Sequence, residues 1–130
     1  MFTLEQIQQT HARVKTGADF PQYVQDLRQL GLRAYDHYVS DGHNDYRATT
    51  GAVLTSPPVG EPLTIAAQGR PDWVAHAIHI HQQGQTDYPT FCRQVAAAGV
   101  EKWTVNAEAM MCTYYDRLGQ PLVEEPIPLP

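Results

Sequence analysis

Sliding the sequence against itself by 68 residues superimposes the residues that most constrain its backbone. Asp19-Phe20-Pro21-Gln22-Tyr23 falls on Asp87-Tyr88-Pro89-Thr90-Phe91. Gly31-Leu32 falls on Gly99-Val100, Tyr35 on Trp103, Tyr46 on Tyr114, Gly51 on Gly119 and Leu54 on Leu122. Pro58 and Pro62 meet Pro126 and Pro130, and no gap is needed from Asp19 onward. Glycine and proline set the allowed backbone angles, so their coincidence argues for one structural unit written twice.

Each half reads as two helices followed by strands. Thr3 and Gln6 form a capping box ahead of a stripe of Leu4, Ile7, His11 and Val14. Asp19 is expected to cap a second helix, with Pro21 in its first turn. Its apolar face is Phe20, Tyr23, Val24, Leu27 and Leu30, and Gly31 is the stop. Half two repeats this at Asp87, Pro89 and Gly99, with Tyr88, Phe91, Cys92 and Val95 facing inward. Its preceding helix, about 72–83, carries Trp73, Val74, Ala77, Ile78, Ile80 and His81 on one face.

Alternation predicts strands at 32–39, with Tyr35, His37 and Val39 on one side, and at 101–107, with Trp103, Val105 and Ala107. Further strands are expected at about 45–49, 52–54, 110–116 and 121–124, and one more at 63–66. Neither half has enough apolar residues to cover its own sheet. The expectation is therefore one α+β domain with pseudo-two-fold symmetry, built from ααβββ repeats at about 1–62 and 69–130. Ala67-Gln68-Gly69 is the expected linker. The groove between the halves is the default ligand site.

Fourteen acidic residues against nine basic give a net charge of −5, which argues against nucleic-acid binding. The first residues have neither the basic nor the apolar region of a signal peptide, and no stretch is long enough to span a membrane. The expected setting is the cytoplasm, with both cysteines reduced.

Few patterns suggest chemistry. The doubled Asp-aromatic-Pro motif is better read as two helix caps than as paired catalytic carboxylates. His76, His79 and His81 do not share one helix face and have no carboxylate at ligand spacing, so no metal or other cofactor is expected. His11 and His81 interrupt apolar stripes, and His37 stands on the inward face of its strand. Cys112 shares a strand face with Tyr114. His11, His37, His81, Cys112 and Tyr114 are the candidate pocket residues, read as satisfied core groups or as the lining of a polar pocket.

At Gly17-Ala-Asp-Phe-Pro-Gln-Tyr, His81-Gln-Gln-Gly-Gln-Thr-Asp-Tyr-Pro-Thr-Phe-Cys, Gly99-Val-Glu-Lys-Trp and Met111-Cys-Thr-Tyr-Tyr-Asp, the chain resembles the YdfO/YbcV-like family of small bacterial proteins. These include prophage-encoded members and often bear the label "phage envelope protein". The resemblance implies a duplicated α+β fold. It brings no activity and no catalytic residue.

Two functional classes follow. The first is a non-enzymatic module that binds a small molecule or a protein between the repeats. The second is a small enzyme using the inward histidines with Cys112 or Tyr114. A homodimer is compatible with either.

Overall fold

The computed structural model describes residues 1–130. It is an α+β structure of four helices and one six-stranded antiparallel sheet. The first half supplies α1 (Leu4–His11), α2 (Phe20–Gln29), β1 (Leu32–Tyr38), β2 (Asn44–Ala48) and β3 (Val53–Thr55). The second supplies α3 (Pro71–Gln82), α4 (Tyr88–Ala97), β4 (Lys102–Asn106), β5 (Met111–Tyr115) and β6 (Pro121–Pro126). The strand order is β3-β2-β1-β4-β5-β6, so the halves meet along β1 and β4.

The register along that seam is informative. Asp36 lies directly opposite Thr104, and the two are 68 residues apart. Ala34 faces Asn106 and Tyr38 faces Lys102. A local two-fold between Asp36 and Thr104 exchanges these two pairs. It also carries the β1–β2 pair Asp36–Asp45 onto the β4–β5 pair Thr104–Thr113. The gapless match fails further out. Tyr46 faces Leu54, whereas Tyr114 faces Val123 rather than Leu122. The hairpin turns themselves correspond, Arg47–Val53 to Tyr115–Pro121, and the register shift between Tyr114 and Tyr115 leaves Leu122 of β6 as a bulge.

The helices form where caps and apolar stripes coincide. In the box at α1, the Gln6 amide donates to Thr3 Oγ1 at 3.2 Å and the Thr3 amide to Gln6 Oε1 at 2.8 Å. Asp87 caps α4 by accepting from the Thr90 amide at 2.8 Å. Asp19 does not cap α2 in this way. It closes a short 3-10 turn at Gly17–Asp19, accepting from the Lys15 and Thr16 amides at 2.9 and 3.2 Å. Thr16 interposes its own cap there, which displaces the expected role of Asp19.

Gly99 ends α4 at φ +88°, with the Val100 amide bonded back to the Val95 carbonyl at 2.9 Å. A Cβ on Gly99 would stand 2.6 Å from the Gln68 carbonyl oxygen, so the linker passes directly over this turn. The residues expected to form a strand at 63–66 do not. They run extended, tied by Leu63 N–H to the Ser40 carbonyl at 2.7 Å and Ala66 N–H to the Ala96 carbonyl at 3.0 Å.

The core is one cluster. Val24 and Leu27 of α2, Val74 and Ile78 of α3, and Phe91 and Val95 of α4 bury against Tyr35, Tyr46, Trp103, Val105, Cys112 and Tyr114 of the sheet. Trp73 is an exception to the predicted stripe. It is half exposed, with the Arg70 guanidinium 4.4 Å from its ring centre. The helices thus cover one sheet face, and strands β4 and β5 alternate buried and partly exposed residues. The opposite face, with Ala34, Asp36, Tyr38, Lys102, Thr104 and Asn106 along the seam, carries no helix.

Candidate functional site

The residues singled out from the sequence separate into a packed core and one surface group. His37 is buried on the helical face at the seam. Its Nδ1–H donates to Asn44 Oδ1 at 2.8 Å, and its Nε2 faces the Tyr88 hydroxyl at 3.4 Å. The ring stacks on Trp103 at 4.3 Å. Burial lowers the His37 pKa below its ordinary value, against an opposing effect of the Asn44 hydrogen bond. The imidazole is therefore a neutral group with both nitrogens engaged.

His81 donates from Nδ1 to the Thr86 carbonyl at 3.1 Å and stacks on Phe91 at 4.6 Å. Phe91 and Tyr114 lie 5.6 and 5.7 Å from Trp103. Trp103 thus links His37, Tyr114 and, through Phe91, His81. Cys112 is one strand position further along, opposite Val105. Burial pushes its thiol up to about 12, and pushes Tyr114 well above the usual tyrosine range. A nucleophilic cysteine needs the reverse shift. His11 does not join this group. It is exposed at the end of α1, edge-on to Tyr23 at 5.4 Å. The last turn of α1 buries Thr10 and so faces His11 outward.

The space between the halves on the helical side is therefore filled by aromatic rings. Away from the seam, Trp73, His76, Ala77, Gln94 and Ala97 line a mostly apolar hollow of about 330 Å³ between α3 and α4. A more polar group lies on the other sheet face. Asp36 is 6% exposed there, although it is charged and sits on the uncovered side. Thr104 Oγ1 donates to its Oδ1 at 2.6 Å, and Arg47 forms a close ion pair with its Oδ2. Both carboxylate oxygens are thereby satisfied, as burial of a charge requires.

Toward one end, Arg33, Ala34, Arg47, Ala48, Gly51 and Asn106 line a hollow of about 270 Å³. Toward the other, Lys102 Nζ lies 5.5 Å from the Tyr115 ring centre and 5.8 Å from that of Tyr38. His43 stacks on Tyr38 at 4.3 Å and its Nδ1 lies 2.6 Å from Asp41 Oδ1.

None of these open-face residues is among the candidate pocket residues read from the sequence. One signal was available. In an antiparallel pair that crosses a two-fold, some residue must face its own repeat mate, and Asp36 and Thr104 are such mates at the observed shift of 68.

Comparison with known proteins decides the family. The sequence signature described as "Protein of unknown function (DUF1398)" matches residues 8–126. The chain belongs to this family. The DUF1398 match includes both helical pairs apart from the first turn of α1, all six strands, and every open-face residue named above. Three similar proteins are the uncharacterized proteins Rv2012 and MT2067 of Mycobacterium tuberculosis and Mb2035 of Mycobacterium bovis. Each is 28% identical over 109 residues. The alignment covers 81% of this chain but only 65% of each relative, so the mycobacterial proteins are the longer ones. No helix of the chain is long and apolar enough to cross a membrane.

Proposed function

We propose that this DUF1398 chain is a non-enzymatic binding module that takes a small ligand on the open face of its sheet. The observation that supports this reading is the division of labour between the two faces. The groups with reactive chemistry, His37, His81, Cys112 and Tyr114, are spent on packing and internal hydrogen bonds. The opposite face instead presents oriented polar groups around a hollow. A rigid sheet whose side chains are fixed by cross-strand partners binds without a large ordering cost. The reading favours the reverse of the seam over the helical-side groove, where aromatic rings pack against one another.

The setting proposed is the cytoplasm, where the two unpaired cysteines remain thiols. The likeness to the YdfO/YbcV-like proteins, with their prophage association, is part of the same proposal and rests on the motifs quoted above.

Two neighbouring residues test the choice of face. Cys112 points into the core, and Thr113 points to the open side of the same strand. Native mass spectrometry of the freshly purified protein is compared with its denatured mass. A non-covalent adduct is expected in wild type and in Cys112→Ala. Thr113→Glu, which lays a long carboxylate across the open face, should lose it. An adduct kept by Thr113→Glu and lost from Cys112→Ala places the ligand on the helical side and overturns the reading. A bare chain throughout counts against any tightly held ligand.

A further inference from the structure

We propose that the hollow at Arg33, Arg47 and Asn106 is an oxyanion site, recognising the phosphate or carboxylate group of a small ligand. The inference deepens the open-face reading and rests on it. The hollow exists because Ala34, on the central strand, stands between Arg47 on one neighbouring strand and Asn106 on the other. A methyl group there leaves a floor with long polar side chains on both sides. A register shift between Leu32 and Ala34 brings Arg33 to the same hollow, although consecutive strand residues normally point to opposite faces. Gly51, at φ +91° in the β2–β3 turn, has no side chain to close the rim.

The donors are aimed before any ligand arrives. Arg47 is held by Asp36, whose second oxygen is already taken by Thr104. The remaining guanidinium N–H groups of Arg47 are free to donate elsewhere. Asn106 Oδ1 accepts from the Glu108 and Ala109 amides at 3.0 and 2.9 Å, which fixes the amide plane and leaves its NH₂ as the uncommitted end. Arg33 is paired only with Glu108, at 3.9 Å, and both side chains are more than half exposed. Such a pair is weak in water. The side chains at the hollow therefore offer N–H donors with no free acceptor between them. That lining matches a group that only accepts hydrogen bonds and carries negative charge. It discriminates against cations and against neutral donors.

The test is an amide NMR titration of the full chain, first with inorganic phosphate and then with acetate, at constant ionic strength. Saturable shifts centred on Arg47, Gly51 and Asn106 are expected. Arg33→Gln should weaken binding about tenfold, the usual scale for one charge-assisted hydrogen bond. Glu108→Gln removes the competing carboxylate and should tighten binding about two- to fivefold. Arg47 is left in place, because its loss would unpair Asp36 and perturb the fold. Saturation by acetate in preference to phosphate supports the site and identifies the ligand group as a carboxylate. Shifts that never saturate, or that Arg33→Gln leaves unchanged, overturn the proposal. In that event, a native adduct that Thr113→Glu removes still upholds the open face itself, so the two readings fail separately.

Discussion

The two ends of the open face are carried onto each other by the local two-fold, yet one is hollow and the other is filled. At the first end, Arg47, Ala34 and Asn106 stand side by side on β2, β1 and β4. At the second, the corresponding positions hold Tyr115, Lys102 and Tyr38 on β5, β4 and β1. The strand pairing is equivalent at these positions, but the central residue differs, and only the first end has the register shift beside it that turns Arg33 inward. Lys102 brings its own cation and lays it over two aromatic rings. Ala34 brings nothing, and the charges stand on its flanks. A built-in cation makes the second end self-satisfied, whereas the first end keeps donors in reserve. On this scaffold the volume of one central side chain, together with the register shift beside it, decides whether a site exists.

The largest effects come from breaking the asymmetry on the two-fold itself. Arg47→Ala strands the Asp36 carboxylate and is expected to cost about 2–3 kcal/mol in urea unfolding. That is below the range for a fully buried pair because the Arg47 side chain is 39% exposed. Tyr115→Ala, at the related position, should cost about 1 kcal/mol. The double variant Arg47→Tyr with Asp36→Thr copies the second half onto the first, and should recover most of the loss because no charge is left unpaired.

The two helix stops give the next contrast. Gly31 and Gly99 both adopt left-handed angles, at φ +102° and +88°. An added Cβ meets nothing at Gly31 but meets the linker backbone at Gly99. Gly31→Ala should cost about 1 kcal/mol and Gly99→Ala at least about twice that, read from the same unfolding curves.

His37 and Val105 occupy related positions in the two halves, which yields a pH test. The folded protein holds His37 below the ordinary value of 6.5. As pH falls below that value, the unfolded chain takes up a proton that the folded chain resists, so stability declines on acidification. His37→Val should flatten that decline by at most about 1.4 kcal/mol per pH unit, in unfolding measured across pH 5 to 8. An unchanged slope would assign the acid sensitivity to other groups.

The smallest expected change in stability, about 1 kcal/mol or less, belongs to Ala34→Leu, which fills a hollow open to solvent. The same variant should abolish phosphate-induced shifts. Lys102→Ala, its counterpart, opens space without arginines beside it and should create no anion binding.

Local patterns in the sequence were enough to find most of the elements and their faces. The alternation of Tyr35, His37 and Val39, and of Trp103, Val105 and Ala107, marked the buried side of both central strands correctly. The Thr3–Gln6 box placed the start of α1. The misreadings have specific causes. The N-cap reading of Asp19 failed because Thr16 competes for the same turn, and only the folded geometry shows which wins. His11 shared an apolar stripe with Ile7, but α1 buries Ile7 and Thr10 instead, and a polar Thr10 gives the stripe no signal. The polar site was the least legible part. Arg33, Arg47 and Asn106 are scattered over two halves, and each alone reads as a solvated strand residue. Their meeting depends on which strands pair at the seam and on one irregularity in register, neither of which hydrophobic periodicity encodes.

The seam also sets the order in which this chain can assemble. Every strand pair but β1–β4 joins neighbours in sequence, so each half can form a three-stranded meander on its own short loops. Such hairpins close in about 1–10 μs, whereas β1 and β4 must find each other across a loop of more than sixty residues. Folding is then expected to wait on one event, the closure of two prebuilt half-sheets. Asp36 and Thr104 meet only at that event, which makes their contact a reporter of the rate-limiting step rather than of the structure that precedes it.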